Sequence, residues 1–229
     1  MKNLKTFLKI SICFCISFAA SSVCSQKIFK ENNGFLKVEA EAFYKQTNDS
    51  IRKWYIIDKS FETALKDADT SHAKIASNKK YIEILPDTRQ THDDQLIREE
   101  NFTSSPGSMA VVCYKIHIKN PGRYYIWVKA YSTGSEDNGL HVGLDGKWPN
   151  SGKRMQWCKG KKSWFWESKQ RTKEEHCGKP NAIYLDIKTA GRHEIQFSMR
   201  EDGFEMDEWL ITSDQNYNPN AESFSTTSK

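Results

Sequence analysis

From Tyr114 onward this chain alternates apolar and polar residues, and that period of two constrains the fold more than any other feature. Tyr114-Lys115-Ile116-His117-Ile118-Lys119 runs into Asn120-Pro121-Gly122-Arg123 and returns as 124–131. Alternation puts successive side chains on opposite faces of a strand, and a Pro-Gly pair between two such runs marks a turn. The pattern recurs at Ile183-Tyr184-Leu185-Asp186-Ile187, turns at Ala190-Gly191-Arg192, and returns through Glu194 to Met199. Leu140-His141-Val142-Gly143-Leu144 ends in Asp145-Gly146, a pair suited to a tight hairpin. No window sustains a helical apolar face, although 60–76 has room for a helical turn or two. Short, evenly spaced strands with Gly and Pro turns predict an all-β fold, an antiparallel β-sandwich with long loop insertions.

The chain divides into a leader at 1–25, one sandwich domain at 26–213 and a flexible polar tail at 214–229. Lys2, Lys5 and Lys9 precede an apolar run from Ile10 to Ala20, and Val23-Cys24-Ser25 offers small residues for cleavage. This reads as a signal peptide and predicts a secreted or cell-surface protein. Cys24 is the alternative, a lipoprotein anchor, but Ser-Ser-Val before it is a poor lipobox. The apolar run is too short to span a membrane comfortably, and nothing later resembles a span.

Removing 25 of 229 residues leaves 204, and the formal charge falls from +5 to +2 because the leader holds three lysines and no acid. That balance gives no electrostatic case for nucleic acid. Of six cysteines, Cys113, Cys158 and Cys177 lie beyond the leader. An odd number in an exported chain allows one internal bridge and one leftover thiol. Cys158 and Cys177 flank a polar, lysine-rich stretch and are the expected pair. Cys113 sits in the apolar run from Met109 to Tyr114 as a small core residue. No paired Cys-x-x-Cys or His spacing suggests zinc.

Three carboxylates bracket the domain. Val38-Glu39-Ala40-Glu41 reads as strand, which points Glu39 and Glu41 to one face, where they repel unless a cation lies between them. Asp207, within Phe204-Glu205-Met206-Asp207-Glu208-Trp209-Leu210-Ile211, has apolar neighbours and needs a partner if buried. If the first and last strands are neighbours, the three could hold one hard cation; otherwise Glu39 and Glu41 are solvent-facing strand residues.

These stretches, with Ala42-Phe43-Tyr44, Tyr124-Tyr125-Ile126-Trp127-Val128-Lys129-Ala130 and Ala190-Gly191-Arg192-His193-Glu194-Ile195, resemble carbohydrate-binding modules of families 6 and 35. The resemblance covers most of 35–212 and rests on the order of the motifs. It implies a galactose-binding-like jelly roll, a structural calcium held by Glu39, Glu41 and Asp207, and a polysaccharide bound at the loop edge. Calcium takes several oxygen ligands, which suits these residues.

Two inserts depart from the usual module. Leu85 to Ser108 carries His92-Asp93-Asp94, Arg98, Glu99 and Glu100. Trp148 to Gly178 carries Trp148, Arg154, Trp157, Trp164, Trp166, Arg171 and His176. Loops this long are usually functional, and tryptophan faces can stack on sugar rings. The alternative is a satellite core, with two of the four tryptophans in it. The acceptor-rich loop 132–139 adds Asp137, Asn138 and the nearby His141, and the charged turn Arg200-Glu201-Asp202 precedes the last strand. The expected ligand-binding set is therefore Trp148, Arg154, Trp157, Trp164, Trp166, Arg171, Asp137, Asn138, His141, Arg200, Glu201 and Asp202.

The expected function is non-catalytic polysaccharide binding by a monomer. An acidic or sulfated polymer would suit Lys153, Arg154, Arg171 and Arg200. A β-sandwich lyase or glycosidase, and a surface adhesion module, are the alternatives. No lyase signature or nucleophile motif is present, and no catalytic residue is assigned.

Overall fold

The computed structural model describes residues 27–222, so the expected leader lies outside them. The strands follow in chain order as β1 (Phe29–Lys30), β2 (Phe35–Glu39), β3 (Lys45–Thr47), β4 (Lys53–Ile57), β5 (Tyr81–Leu85), β6 (Val111–Ile118) and β7 (Gly122–Tyr131). They continue as β8 (Gly139–Leu144), β9 (Met155–Gln156), β10 (Phe165–Glu167), β11 (Tyr184–Ile187), β12 (Gly191–Met199) and β13 (Glu205–Thr212). One sheet runs β1-β6-β12-β8-β9, with β3 also on β6. The other runs β10-β7-β13-β5-β4, with β11 on β7 and β2 on β13. Every pairing is antiparallel except β1 with β6. This is the expected antiparallel sandwich.

The alternation seen in the sequence becomes the core. Val112, Tyr114, Ile116 and Ile118 of β6 and Ile195, Phe197 and Met199 of β12 face Ile126, Val128 and Ala130 of β7 and Trp209 and Ile211 of β13. Tyr114 stacks edge-on against both Phe197 and Trp209, at centroid distances of 5.8 and 5.0 Å, and its hydroxyl donates to the Ala40 carbonyl. The hydroxyl thus keeps a partner while the ring is fully buried. The Asp145-Gly146 turn has both residues at positive φ, 51° and 73°, as a two-residue hairpin requires.

Between β4 and β5 the chain makes only two 3-10 turns, Ala73–Ile75 and Ser77–Lys79. This loop covers the outer face of the seven-stranded sheet through a satellite cluster of Ile57, Ala73, Tyr81 and Leu85, with Phe61 and Trp164 beside it. Cys158 and Cys177 are bridged, with Cα atoms 5.4 Å apart, and Cys113 is free and buried. At the C-terminal end, Asn220 donates to the Trp166 carbonyl and accepts from its N–H, at 2.9 and 3.2 Å. Tyr217 packs against Phe35 at 5.5 Å.

Candidate functional site

One end of the sandwich gathers the long insertions. Here β5, β7 and β12 end and β6, β8 and β13 begin. The loops are tied to one another by backbone. Ser135 and Glu136 donate to the Gln90 carbonyl at 2.9 and 3.1 Å, joining 132–139 to the first insert. Thr103 donates to Arg200 and Asp202 donates to Asn101, at 2.9 and 3.1 Å, joining that insert to the turn before β13. The second insert is pinned by Trp157 N–H donating to Asn138 and by the Cys158–Cys177 bridge.

The cleft between these loops has a volume of about 460 Å³, and its lining is strongly cationic. Arg89, Arg98, Arg154, Arg171, Arg200 and Lys161 line it, with His92 and His176 at hand, against one lining carboxylate, Glu136. Arg89 and His92 both pair with Glu136, and Arg200 pairs with Glu201. Among the described residues no carboxylate pairs with Arg98, Arg154 or Arg171. Burial, then Arg171 and Arg154, push the Arg200 guanidinium down to about 9. Burial and Arg171 lower Arg154, and Arg171 is the leading cause of the lowered His176. Like charges held this close destabilise one another until an anion arrives. The cleft also carries an aromatic surface: the half-buried Phe102 ring lies under Arg98 and Arg200, 5.8 and 4.9 Å from its centroid.

Of the residues expected from sequence, Asn138, Arg154, Trp157, Arg171 and Arg200 line this cleft. Others build it from behind. Asp137 accepts from Ser132, Thr133 and Gly134 and so fixes the 132–137 turn. Glu201 accepts from Arg200 and from the Asn138 N–H. Asp202, fully buried, accepts from Arg52 and Thr88 and lies outside the cleft lining. His141 is likewise buried; its Nδ1 accepts the Arg154 N–H at 3.0 Å, and burial holds it neutral down to about 3.

Three tryptophans lie outside the cleft lining. Trp148 covers Gly143 of β8 in the six-stranded sheet and Gly107 in the first insert; a Cβ at Gly143 would come within 2.9 Å of its ring. Trp164 packs edge-on against Tyr81 and Tyr131, at 5.3 and 5.4 Å, as a satellite-core residue. Trp166 lies on the outer face of β10, with Lys37 5.9 Å from its ring centroid. β10 pairs with β7 along an extended backbone, so both tryptophans flanking Phe165 turn to the sheet's outer face. Even Trp157, which lines the cleft, is 1% exposed and packs on Phe204. Residues missing from the expected set include Arg89, Phe102, Lys161 and Glu136, and also Arg98, His92 and His176, noted in the inserts without being placed in that set. The first two lie in an insert whose length had already marked it, but no local pattern separates them from solvated loop residues.

The bracketing carboxylates do come to one place. β2 and β13 are neighbours, with Glu39 opposite Glu208. Glu39 ends β2, however, and Ala40–Ala42 is a 3-10 turn, so Glu39 and Glu41 are not alternate residues of one strand. Asp207 is the extra residue of a β-bulge between Met206 and Glu208, which aims it out of the ladder. Ser77 donates its N–H to Asp207 and its hydroxyl to Glu39, at 2.9 and 3.0 Å. Lys129 pairs with Asp207 at 2.8 Å. One oxygen each of Glu39 and Glu41 is buried with no hydrogen-bond donor, and burial together with Glu39 and Asp207 pushes Glu41 up to about 7. Orphaned carboxylate oxygens fit a hard cation, and Lys129 already supplies one charge. Among the described residues two other groups bring ligand atoms within 4.8 Å of one another, and this trio is not one of them.

The chain is thus an all-β sandwich with a cationic cleft at its loop end. No family model matches the chain. It is 61% identical over 198 residues to uncharacterized protein P23 of Formosa agariphila, across 86% of this chain and 48% of that protein. The chain therefore spans about half the length of that relative. Similar solved structures include the C-terminal family 6 carbohydrate-binding module of a marine laminarinase from Zobellia galactanivorans, at 14% identity and TM-score 0.38 over 78% of this chain and 99% of that one. The family 35 module of Paenibacillus barcinonensis is similar at 9% identity and TM-score 0.39, over 78% and 98%. The Podospora anserina mannanase with a family 35 module is similar at 11% identity and TM-score 0.43, over 82% of this chain and 29% of that one.

Proposed function

We propose that this chain is an exported, monomeric, non-catalytic module that binds an anionic polysaccharide, acidic or sulfated, in the loop-end cleft. One observation carries the reading: six cationic side chains line the cleft against a single carboxylate, and three of its arginines have no carboxylate partner among the described residues. Sulfate or uronate groups would relieve the repulsion among Arg154, Arg171 and Arg200, with bidentate geometry available to each guanidinium. Phe102 offers a ring face for an adjacent sugar. A structural calcium at Glu39, Glu41 and Asp207 belongs to the same proposal; bound there, it would neutralise the orphaned oxygens and tie β2 to β13. His92 and His176 beside the arginines favour a lyase as the second reading, since a lyase needs a base close to a neutralised carboxylate. Affinity electrophoresis against neutral, uronate and sulfated polysaccharides, with release of unsaturated ends assayed in parallel, tests both. Retardation by anionic polymers without product supports the binding module, and product formation replaces it with the enzyme.

A further inference from the structure

A separate cluster of chemistry-bearing groups lies under the 58–80 loop, and none of its members lines the cleft. Ile82 and Ile84 of β5 face the main core, so Glu83 between them faces the opposite way, towards the loop. Glu205 of β13 is its cross-strand partner. Both carboxylates are 1% exposed. The loop brings Asp67, Asp69 and His72 onto the pair. Ligand atoms of Asp69, His72 and Glu205 lie within 4.8 Å of one another, as do those of Asp67, Asp69 and Glu83.

The balance of charge here is unusual. His72 Nδ1 sits 2.9 and 3.0 Å from the two Glu205 oxygens, and its ring stacks on Tyr131 at 3.6 Å. Glu83 accepts one hydrogen bond, 3.3 Å from the Tyr81 hydroxyl, and meets no cationic group among the described residues. One oxygen of Asp69 is buried with no donor at all. No lysine or arginine among the described residues pairs with any of the four carboxylates. Burying a carboxylate without a counter-charge is costly, and here two buried and two half-buried carboxylates gather around one imidazole. Among the described residues His72, set against Glu205, is the basic group paired with these carboxylates.

We propose that Asp69, His72 and Glu205, with Asp67 and Glu83 beside them, bind one divalent transition-metal ion, zinc or manganese, which clamps the 58–80 loop onto the seven-stranded sheet. Carboxylate oxygens alone would suit calcium or magnesium, but an imidazole nitrogen in the set favours a first-row transition ion. The site joins three residues of a loop without regular strands to two adjacent strands, so binding and loop order are linked.

The test uses the whole chain, stripped with a chelator and dialysed, then titrated calorimetrically with Zn²⁺, Mn²⁺ and Ca²⁺ and melted with and without each ion. Zinc or manganese should bind at one site and raise the melting temperature. Asp69→Asn and His72→Ala, both on the loop and partly exposed, should each weaken that binding at least about tenfold, the loss typical even of groups one shell out from a metal. Asp186→Asn, at an exposed carboxylate of β11 paired with Arg123, should leave it unchanged, which separates this site from general carboxylate binding. Failure of zinc and manganese to bind the wild type, or equal binding by both loop variants, overturns the proposal.

Discussion

Arg171→Gln should stabilise the protein while weakening its binding of anionic glycan. The Arg171 backbone N–H donates to the Arg154 carbonyl at 2.9 Å, a bond that the substitution keeps. Its guanidinium makes no ion pair among the described residues, so little is lost when it goes. What it does make is repulsion, with Arg154, Arg200 and His176, all of which it lowers. Two half-solvated like charges several ångströms apart cost on the order of 0.5–1 kcal/mol each at an effective dielectric well above that of dry protein. Removing one charge from that cluster should therefore add about 1 kcal/mol of stability, or roughly 2–4 °C in Tm for a domain this size. The same charge contributes to the ligand, and a charge-assisted hydrogen bond to sulfate or carboxylate is worth about 1.5–3 kcal/mol, so affinity should fall at least tenfold. Thermal unfolding at low and high salt, beside calorimetric titration, reads both effects, and salt should shrink the stability gain by screening. A variant that melts lower than wild type and binds anionic glycan equally well would refute the reasoning.

Three further outcomes follow from the same contacts. Reducing or replacing the Cys158–Cys177 bridge, which closes a 19-residue separation, should cost about 3 kcal/mol, and it should weaken glycan binding because Arg171 and His176 lie inside that loop; unchanged binding in a Cys158→Ala/Cys177→Ala variant would contradict this. His141, neutral in the fold down to about 3, gains a proton only on unfolding once pH drops below its ordinary value near 6.5. Stability is therefore full above about 6.5 and lost as pH falls toward 3, by up to about 4 kcal/mol, and His141→Gln should flatten the dependence of Tm on pH between 7 and 4. Calcium at a hundredfold excess over Kd should contribute about 2.7 kcal/mol, so a chelator should lower Tm for the wild type and leave Asp207→Asn unmoved.

The sandwich was legible because its signal is local. The alternation in β6, β7 and β12 and the turns at Asn120-Pro121-Gly122 and Asp145-Gly146 need only neighbouring residues to be seen. The pairing of Cys158 with Cys177 was similarly constrained once Cys113 was placed in an apolar run. The cleft was half legible. Insert length pointed to the right segments, and Arg154, Arg171 and Arg200 were named. Three of the four tryptophans lie outside the cleft because aromatic content marks burial as readily as binding: Trp164 fills the gap between Tyr81 and Tyr131, and Trp148 covers two glycines. Which use a tryptophan serves depends on partners more than 20 residues away in the chain. The pairing of Glu83 with Glu205 under Asp69 and His72 was invisible for the same reason, since it needs the register of β5 against β13 and the path of an irregular loop. Asp207 was found through its motif, although the bulge that aims it appears only in the ladder.

The central claim is that the loop-end cleft recognises an anionic polymer by charge. Calorimetric titration of the wild type with oligosaccharides from one sulfated, one uronate and one neutral polysaccharide, each at low and high ionic strength, addresses it most directly. The account predicts binding to a charged series only, an affinity that falls as salt screens the cleft over a Debye length of about 10 Å or less, and loss of binding in an Arg154→Ala/Arg171→Ala variant that still melts cooperatively. Equal affinity for the neutral series, independent of salt and unaffected by that double substitution, would contradict it.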